Sequence, residues 1–219
     1  MTHSNDDSRF LNEYAQVRVD YSGQTLDESE IASNPLQQFQ VWYQEVVTLG
    51  LPEPNAMVLS TADATGCVSA RNVLLKGVDT RGFMFFTNYL SNKSRDIQEN
   101  PQVALTFSWT AIFRQVLISG QCEKLSEAES IAYFKTRPRG AQIAAHASLQ
   151  SEILQSRTEL EEHYRHYEQQ FEGTDIPKPE HWGGYLVPPS SIEFWSGRSS
   201  RLHDRLRFVA LNPRPDLAH

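Results

Sequence analysis

Cysteine is scarce: Cys67 and Cys122 are the only two in the chain, and neither has a partner at metal-ligand spacing. That excludes a disulfide framework and a cysteine-based metal centre. It fits a reducing compartment, with both thiols read as small packed side chains. Long apolar runs are also lacking, and no stretch approaches the roughly 20 residues needed to cross a bilayer. Met1 to Phe10 hold no basic start followed by an apolar stretch, so no secretory signal is expected and the protein reads as cytoplasmic. Positive charge is in deficit. Twenty Lys and Arg face 27 Asp and Glu, a formal charge of −7. A phosphate field would repel such a chain, which argues against nucleic acid or an anionic membrane as a partner. A local basic pocket for one phosphate stays compatible with that balance. No glycine-rich strand-to-helix loop occurs, which disfavours a Rossmann nucleotide site.

What is present organises into three stretches: a flexible N-terminal segment (1–33), one domain (34–209) and an irregular tail (210–219). Asn34-Pro35 offers an N-cap and a proline at the first helical position. Leu36, Phe39, Tyr43, Val46 and Val47 follow at helical spacing, widened by Trp42 and Leu49, and Gly50 closes the helix. Short β-rich runs come next: Ala56 to Thr61, Cys67 to Val78 and Phe83 to Thr87, separated by turns at 63–66 and 79–82. Such short connections predict antiparallel neighbours. Ser91 to Asn100 reads as a short helix before Pro101. Val103 to Trp109 and Arg114 to Leu125 read as strands, with Val116, Ile118 and Gly120 on one face of the second. Ser126 and Glu129 form a capping box for a helix ended by Pro138. Ala141 to Phe171 reads as helical, and 185–187, 192–195 and 205–209 as closing strands. The pattern predicts a mainly β fold, an α+β barrel of Greek-key-like antiparallel strands with helices packed outside.

Three stretches carry chemistry. In Arg71-Asn72-Val73-Leu74-Leu75-Lys76, alternation puts Arg71, Val73 and Leu75 on one face; taken alone this is a strand with solvated charged ends. Tyr133 and Arg137, one helical turn apart, aim at one spot and make a phosphate site as readily as an ordinary basic helix C-terminus. On an extended chain Arg201, His203 and Arg205 share a face. Three such groups together call for an anion or water to meet them.

These stretches, taken with Phe85–Asn88, Arg114–Val116, Tyr133–Arg139, Gln150-Ser151, Trp182–Tyr185, Glu193–Gly197 and Arg201–Arg205, resemble in order and spacing the pyridoxamine (pyridoxine) 5'-phosphate oxidase family from about Arg18 to Phe208. The resemblance implies an FMN-binding split β-barrel homodimer with FMN at the subunit interface. The implied activity is oxidation of pyridoxamine 5'-phosphate and pyridoxine 5'-phosphate to pyridoxal 5'-phosphate, with O2 reoxidising the flavin. By that resemblance Arg71, Val73, Lys76, Phe86, Thr87, Lys93, Gln115, Gln150, Ser151, Trp195 and Arg205 line the FMN site. Lys76, Tyr133 and Arg137 hold the substrate phosphate. Arg201 and His203 flank the pyridine ring as the catalytic pair, and Arg18 and Tyr21 match a segment that closes over the site.

The chain departs from the family at Asn92, where an Arg is frequent, at Ala141, where a Ser is frequent, and at His146, read here as structural. Pro213 and Pro215 also stand in a tail where the family has a further strand, and proline cannot sit in a central ladder. Two alternatives stay open: a split-barrel flavoenzyme on another substrate, such as a phenazine-pathway oxidase, and a non-catalytic FMN or pyridoxal phosphate-binding protein.

Overall fold

A computed structural model describes Tyr14 and residues 19–211. The helix expected after Asn34 forms as α1, Pro35–Thr48. The Asn34 side chain accepts from the amides of Leu36 and Gln37 at 2.8 and 3.4 Å. Gly50, at φ +67°, leaves the helix in a conformation that glycine adopts without steric cost. The buried face is Gln38, Phe39, Trp42 and Val46, whereas Val47 and Leu49 face solvent.

Ten strands follow: β1 (Ala56–Ala62), β2 (Val68–Leu74), β3 (Gly77–Asp79), β4 (Gly82–Asn88), β5 (Gln102–Trp109), β6 (Arg114–Gln121), β7 (Glu123–Lys124), β8 (Trp182–Val187), β9 (Pro189–Ser196) and β10 (Asp204–Val209). They form a six-stranded sheet in the order β10-β9-β6-β5-β1-β2 and a four-stranded sheet in the order β3-β4-β8-β7. Every described pairing is antiparallel. The sheets close over one core as a split barrel. Phe39 of α1 joins them, meeting Phe83 edge-on and Phe107 at a tilt, both at 4.9 Å between centroids.

Two predicted strands are each two strands. The run 67–78 breaks at Leu75-Lys76, where the chain leaves the larger sheet for the smaller: the Leu75 amide bonds Asn55 O and the Lys76 amide bonds Met84 O, each at 2.8 Å. The run 114–125 breaks at Cys122 for the same reason, after a register shift between Ser119 and Gly120. Alternation cannot reveal such a switch, because the run stays β-rich across it.

Four further helices cover the barrel: α2 (Asn92–Glu99), α3 (Glu127–Thr136), α4 (Arg139–Ala147) and α5 (Arg157–Gln170). The capping box at Ser126 and Glu129 is present on α3. The expected helix 141–171 is instead α4 and α5, parted by an irregular segment that carries Gln150 and Ser151, the latter at φ +72°. A second apolar cluster, including Phe134, Ile143, Phe171 and Trp182, fastens α3 and α4 to the smaller sheet. No helix among the described residues is long and apolar enough to cross a membrane.

Candidate active site

Helix α2 begins at Ser91 and turns Lys93 inward, where it is 8% exposed. Its Nζ donates to Thr87 Oγ1 at 3.1 Å, Ser91 Oγ at 3.0 Å and Gln150 Oε1 at 2.8 Å. All three acceptors are neutral. Burial, and after it the charge of nearby Arg71, pull the Lys93 ammonium down to about 8. Such a group gains most from an incoming anion. Arg71 on β2 donates to Thr61 Oγ1 at 2.6 Å and to Ser69 Oγ. Asp96 of α2 steadies that pair of hydroxyls, accepting from Thr61 Oγ1 at 2.5 Å and from Ser69 Oγ at 2.9 Å. Asn92 offers its amide to Ser151 Oγ at 3.3 Å. Val73, on the same face as Arg71, packs against the core. Lys76, at the crossover between sheets, lines a separate cavity of about 440 Å³ with Phe39 and Tyr43.

A cleft of about 220 Å³ leads from Thr87 and Gln150 past Phe86 and Trp182 to Arg137. Tyr133 stacks on Phe86 at 3.9 Å. The Arg137 guanidinium lies over Trp182, 4.6 Å from the ring centroid. Its Nη1 is buried with no hydrogen-bond partner, a costly arrangement unless an anion completes it. Burial holds Arg137 below its ordinary range, and Tyr133 and Arg137 both pack on the Phe86–Trp182 aromatic stack. Ala141 stands at the start of α4, its amide bonded to Pro138 O at 2.8 Å. His146 is a packed structural histidine: Nε2 meets Pro177 O at 2.7 Å, and the ring lies against Phe171 at 4.9 Å.

The third group sits where β9 and β10 end. Trp195 stands between Gln115 of β6 and Arg205 of β10 in register. Arg205 Nε pairs with Glu193 at 3.2 Å and is largely exposed. Arg201 does not share a strand face with His203 and Arg205. It belongs to a 3-10 turn, Ser199–Arg201, with φ +54° at Ser200 and +63° at Arg201. The turn still brings Arg201 to His203, because both pack on Tyr21: the Arg201 guanidinium lies 4.7 Å from the Tyr21 ring and His203 5.2 Å. His203 Nδ1 accepts from the Arg198 amide at 3.0 Å, so the neutral ring carries its proton on Nε2. Arg18, Pro213 and Pro215 lie outside the described residues.

One chain does not join these groups. Arg71 is on edge strand β2 and Arg205 on edge strand β10, five strand spacings apart in the sheet order. That is about 24 Å measured along the sheet. Sequence reasoning also missed Ser91, Asp96 and Trp182 as partners of Lys93, Arg71 and Arg137. Ser91 was legible as an N-cap; the other two are tertiary neighbours. Lys93 bonded only to neutral oxygens and Arg137 with an orphaned nitrogen form a donor set suited to two phosphates, as FMN and a phosphorylated substrate would bring.

Residues 43–171 match the family model described as pyridoxamine 5'-phosphate oxidase, and residues 182–215 the one described as pyridoxine 5'-phosphate oxidase C-terminal dimerisation region. A pyridoxine/pyridoxamine 5'-phosphate oxidase of Trichormus variabilis is 50% identical over 198 residues, covering 90% of this chain and 92% of its own. One of Rubrobacter xylanophilus is 51% identical over 199 residues, covering 91% and 92%. Among solved structures, PhzG from Burkholderia lata, in complex with tetrahydrophenazine-1-carboxylic acid, superposes with a TM-score of 0.81 at 30% identity, covering 86% of this chain and 94% of its own. An FMN binding protein of Nostoc punctiforme, related to pyridoxamine 5'-phosphate oxidase, shares the fold, with a TM-score of 0.63 at 14% identity over 81% of this chain and 92% of its own.

Proposed function

The chain belongs to the pyridoxamine 5'-phosphate oxidase family, and on that premise we propose that it oxidises pyridoxamine 5'-phosphate and pyridoxine 5'-phosphate to pyridoxal 5'-phosphate with FMN as cofactor. The observation that carries this reading is Arg137, whose buried, unpartnered Nη1 belongs to a cleft also lined by Thr87 and Gln150, the partners of Lys93. The arrangement offers two anion seats. Lys93, Thr87, Gln150, Ser151 and Arg71 would hold FMN through its phosphate, with Val73, Phe86, Gln115, Trp195 and Arg205 completing its surroundings. Arg137 and Tyr133 would take the substrate phosphate; Lys76 lines a separate cavity of this chain and is assigned to that phosphate by the family resemblance alone.

FMN, when bound, supplies the two-electron acceptor, and O2 restores it with release of hydrogen peroxide. Pyridoxine 5'-phosphate and O2 thus give pyridoxal 5'-phosphate and H2O2; the amine consumes a water in addition and releases ammonia. The chain positions and polarises. Arg201 orients the pyridine ring and stabilises negative charge building on it. His203, held by the Arg198 amide, presents Nε2–H to a ring substituent. Phe86, Tyr133 and Trp182, stacked on one another, keep water from the side of the cleft where Arg137 waits.

The active unit is a homodimer with FMN between the subunits. The wide separation of Arg71 from Trp195 and Arg205 within a chain supports this, as does the match of 182–215 to a dimerisation region. A phenazine substrate is the weaker reading: the sequence identity to PhzG is 30%, against 50% to the pyridoxine/pyridoxamine 5'-phosphate oxidase of Trichormus variabilis.

The test is an anaerobic mixture of the FMN-loaded protein with pyridoxamine 5'-phosphate. Bleaching of the flavin absorbance, with recovery and pyridoxal 5'-phosphate formation in air, is expected. An oxidised spectrum that persists with FMN bound would refute the proposed substrate.

A further inference from the structure

The segment between α4 and α5, residues 148–156, carries Gln150 and Ser151 yet belongs to neither helix nor sheet. Side chains fasten its first half to β4 and α2. Asn88 Nδ2 donates to Ser148 O at 3.3 Å. Gln150 Oε1 accepts from Thr87 Oγ1 at 3.1 Å and from Lys93 Nζ at 2.8 Å. Ser151 Oγ accepts from the Asn92 amide at 3.3 Å. Glu152 follows, and its Oε1 meets Arg95 Nη2 at 2.6 Å. Arg95 Nη1 also reaches Asn92 Oδ1 at 3.4 Å. Ile153, the next residue, is 99% exposed, which puts the ion pair at the edge of the fastened part.

Arg95 and Glu152 are each about half exposed, and an ion pair so placed adds little to overall stability. Its place in the fold gives it another use. The two residues are 57 positions apart, and their contact joins the start of α2 to the segment. Helix α2 turns Lys93 inward and, two residues on, Arg95 outward, so one turn of helix holds both the cation of the phosphate seat and one half of the ion pair. Asp96, next along, ties the same turn to the Thr61 and Ser69 hydroxyls beside Arg71. Between Gln150 and Glu152, both bonded to α2, Ser151 sits at φ +72°. A residue other than glycine holds such an angle only where its surroundings impose it.

We propose that Arg95 and Glu152 are positioning residues for the phosphate seat: their ion pair clasps 148–152 against α2, so that Gln150 and Ser151 stand beside Lys93 before the FMN phosphate arrives. The inference rests on the reading above that gives this phosphate to Lys93. Neither side chain of the clasp has to touch the cofactor. Without the clasp the segment spends part of its time away from α2. FMN then meets a complete seat in only a fraction of the molecules, and its apparent affinity falls by that fraction.

The sign of each substitution separates a clasp from a local field. An unpaired Glu152 charge repels a phosphate, so a pair acting only through its field would give tighter FMN binding in Glu152→Gln and weaker binding in Arg95→Ala. A clasp needs both partners, and each variant should raise the FMN Kd by about two- to fivefold, the range open to an exposed ion pair. The reversed pair, Arg95→Glu with Glu152→Arg, should recover most of that loss. Quenching of FMN fluorescence by the flavin-free full chain reads the Kd. Hydrogen–deuterium exchange of 148–152 should be faster in either single variant and slow again in the reversed pair, while the urea midpoint stays at the wild-type value. Tighter FMN binding in Glu152→Gln, an unchanged Kd or exchange rate in both single variants, or no recovery in the reversed pair overturns the inference. Lys93→Met tests the seat itself: FMN bound there as tightly as by wild type removes the reading on which the clasp rests, and the inference falls with it.

Discussion

Lys93 and Arg137 are the two residues whose surroundings are least complete without an anion. In the proposed site protonated Lys93 would bind the FMN phosphate, and its own ammonium sits at about 8 before FMN arrives. Below that pH the proton is already in place; above it, binding must take one up. FMN affinity should therefore be level between about pH 6, where the phosphate itself takes up a proton, and about pH 8, and fall by up to about tenfold per pH unit above it. Lys93→Met should weaken binding and flatten that dependence, as read by quenching of FMN fluorescence. Arg137→Ala should raise KM for pyridoxine 5'-phosphate by about tenfold or more, the loss of a charged hydrogen bond, while FMN content stays at the wild-type level. Arg201→Ala should lower turnover far more than FMN content. Equal losses of both would place Arg201 at the cofactor instead.

Elements owe their positions to a few local devices. Ser126 accepts from the Glu129 amide at 3.2 Å while Glu129 Oε2 accepts from the Ser126 amide at 3.0 Å. Ser126→Ala should cost about 1 kcal/mol in urea denaturation, with α3 and hence Tyr133 otherwise in place. Gly120 is more demanding. It lies at the register shift where β6 prepares to leave the larger sheet, and a Cβ there would meet Pro188 O at 2.3 Å. Backbone cannot rotate away as a side chain can, so Gly120→Ala should destabilise by about 1 to 3 kcal/mol. The first sheet switch also sets the position of Lys76, between β2 and β3.

For the molecule as a whole, the decisive feature is that basic groups of an acidic chain collect at two separated places. Arg71 and Arg201 are assigned to the same site yet stand on strands or turns at opposite ends of the larger sheet. If the site is composite, co-refolding inactive Arg71→Ala and Arg201→Ala chains should restore about a quarter of wild-type activity. Half of the dimers would be mixed, each with one intact site. No recovery would mean that each chain builds its site alone.

Sequence alone determined the local alphabet of this fold: the caps at Asn34 and Ser126, the turns at 63–66 and 79–82, the alternation along β6 and the identity of the basic motifs. These follow from φ preferences and side-chain period, which act over a few residues. Tertiary structure decided where β-rich runs change sheet, where a predicted 31-residue helix breaks into two, and that Arg201 leaves the strand for a left-handed turn against Tyr21. Those outcomes depend on partners far along the chain, such as Asn55 for Leu75 or Tyr21 for Arg201. No local period encodes them.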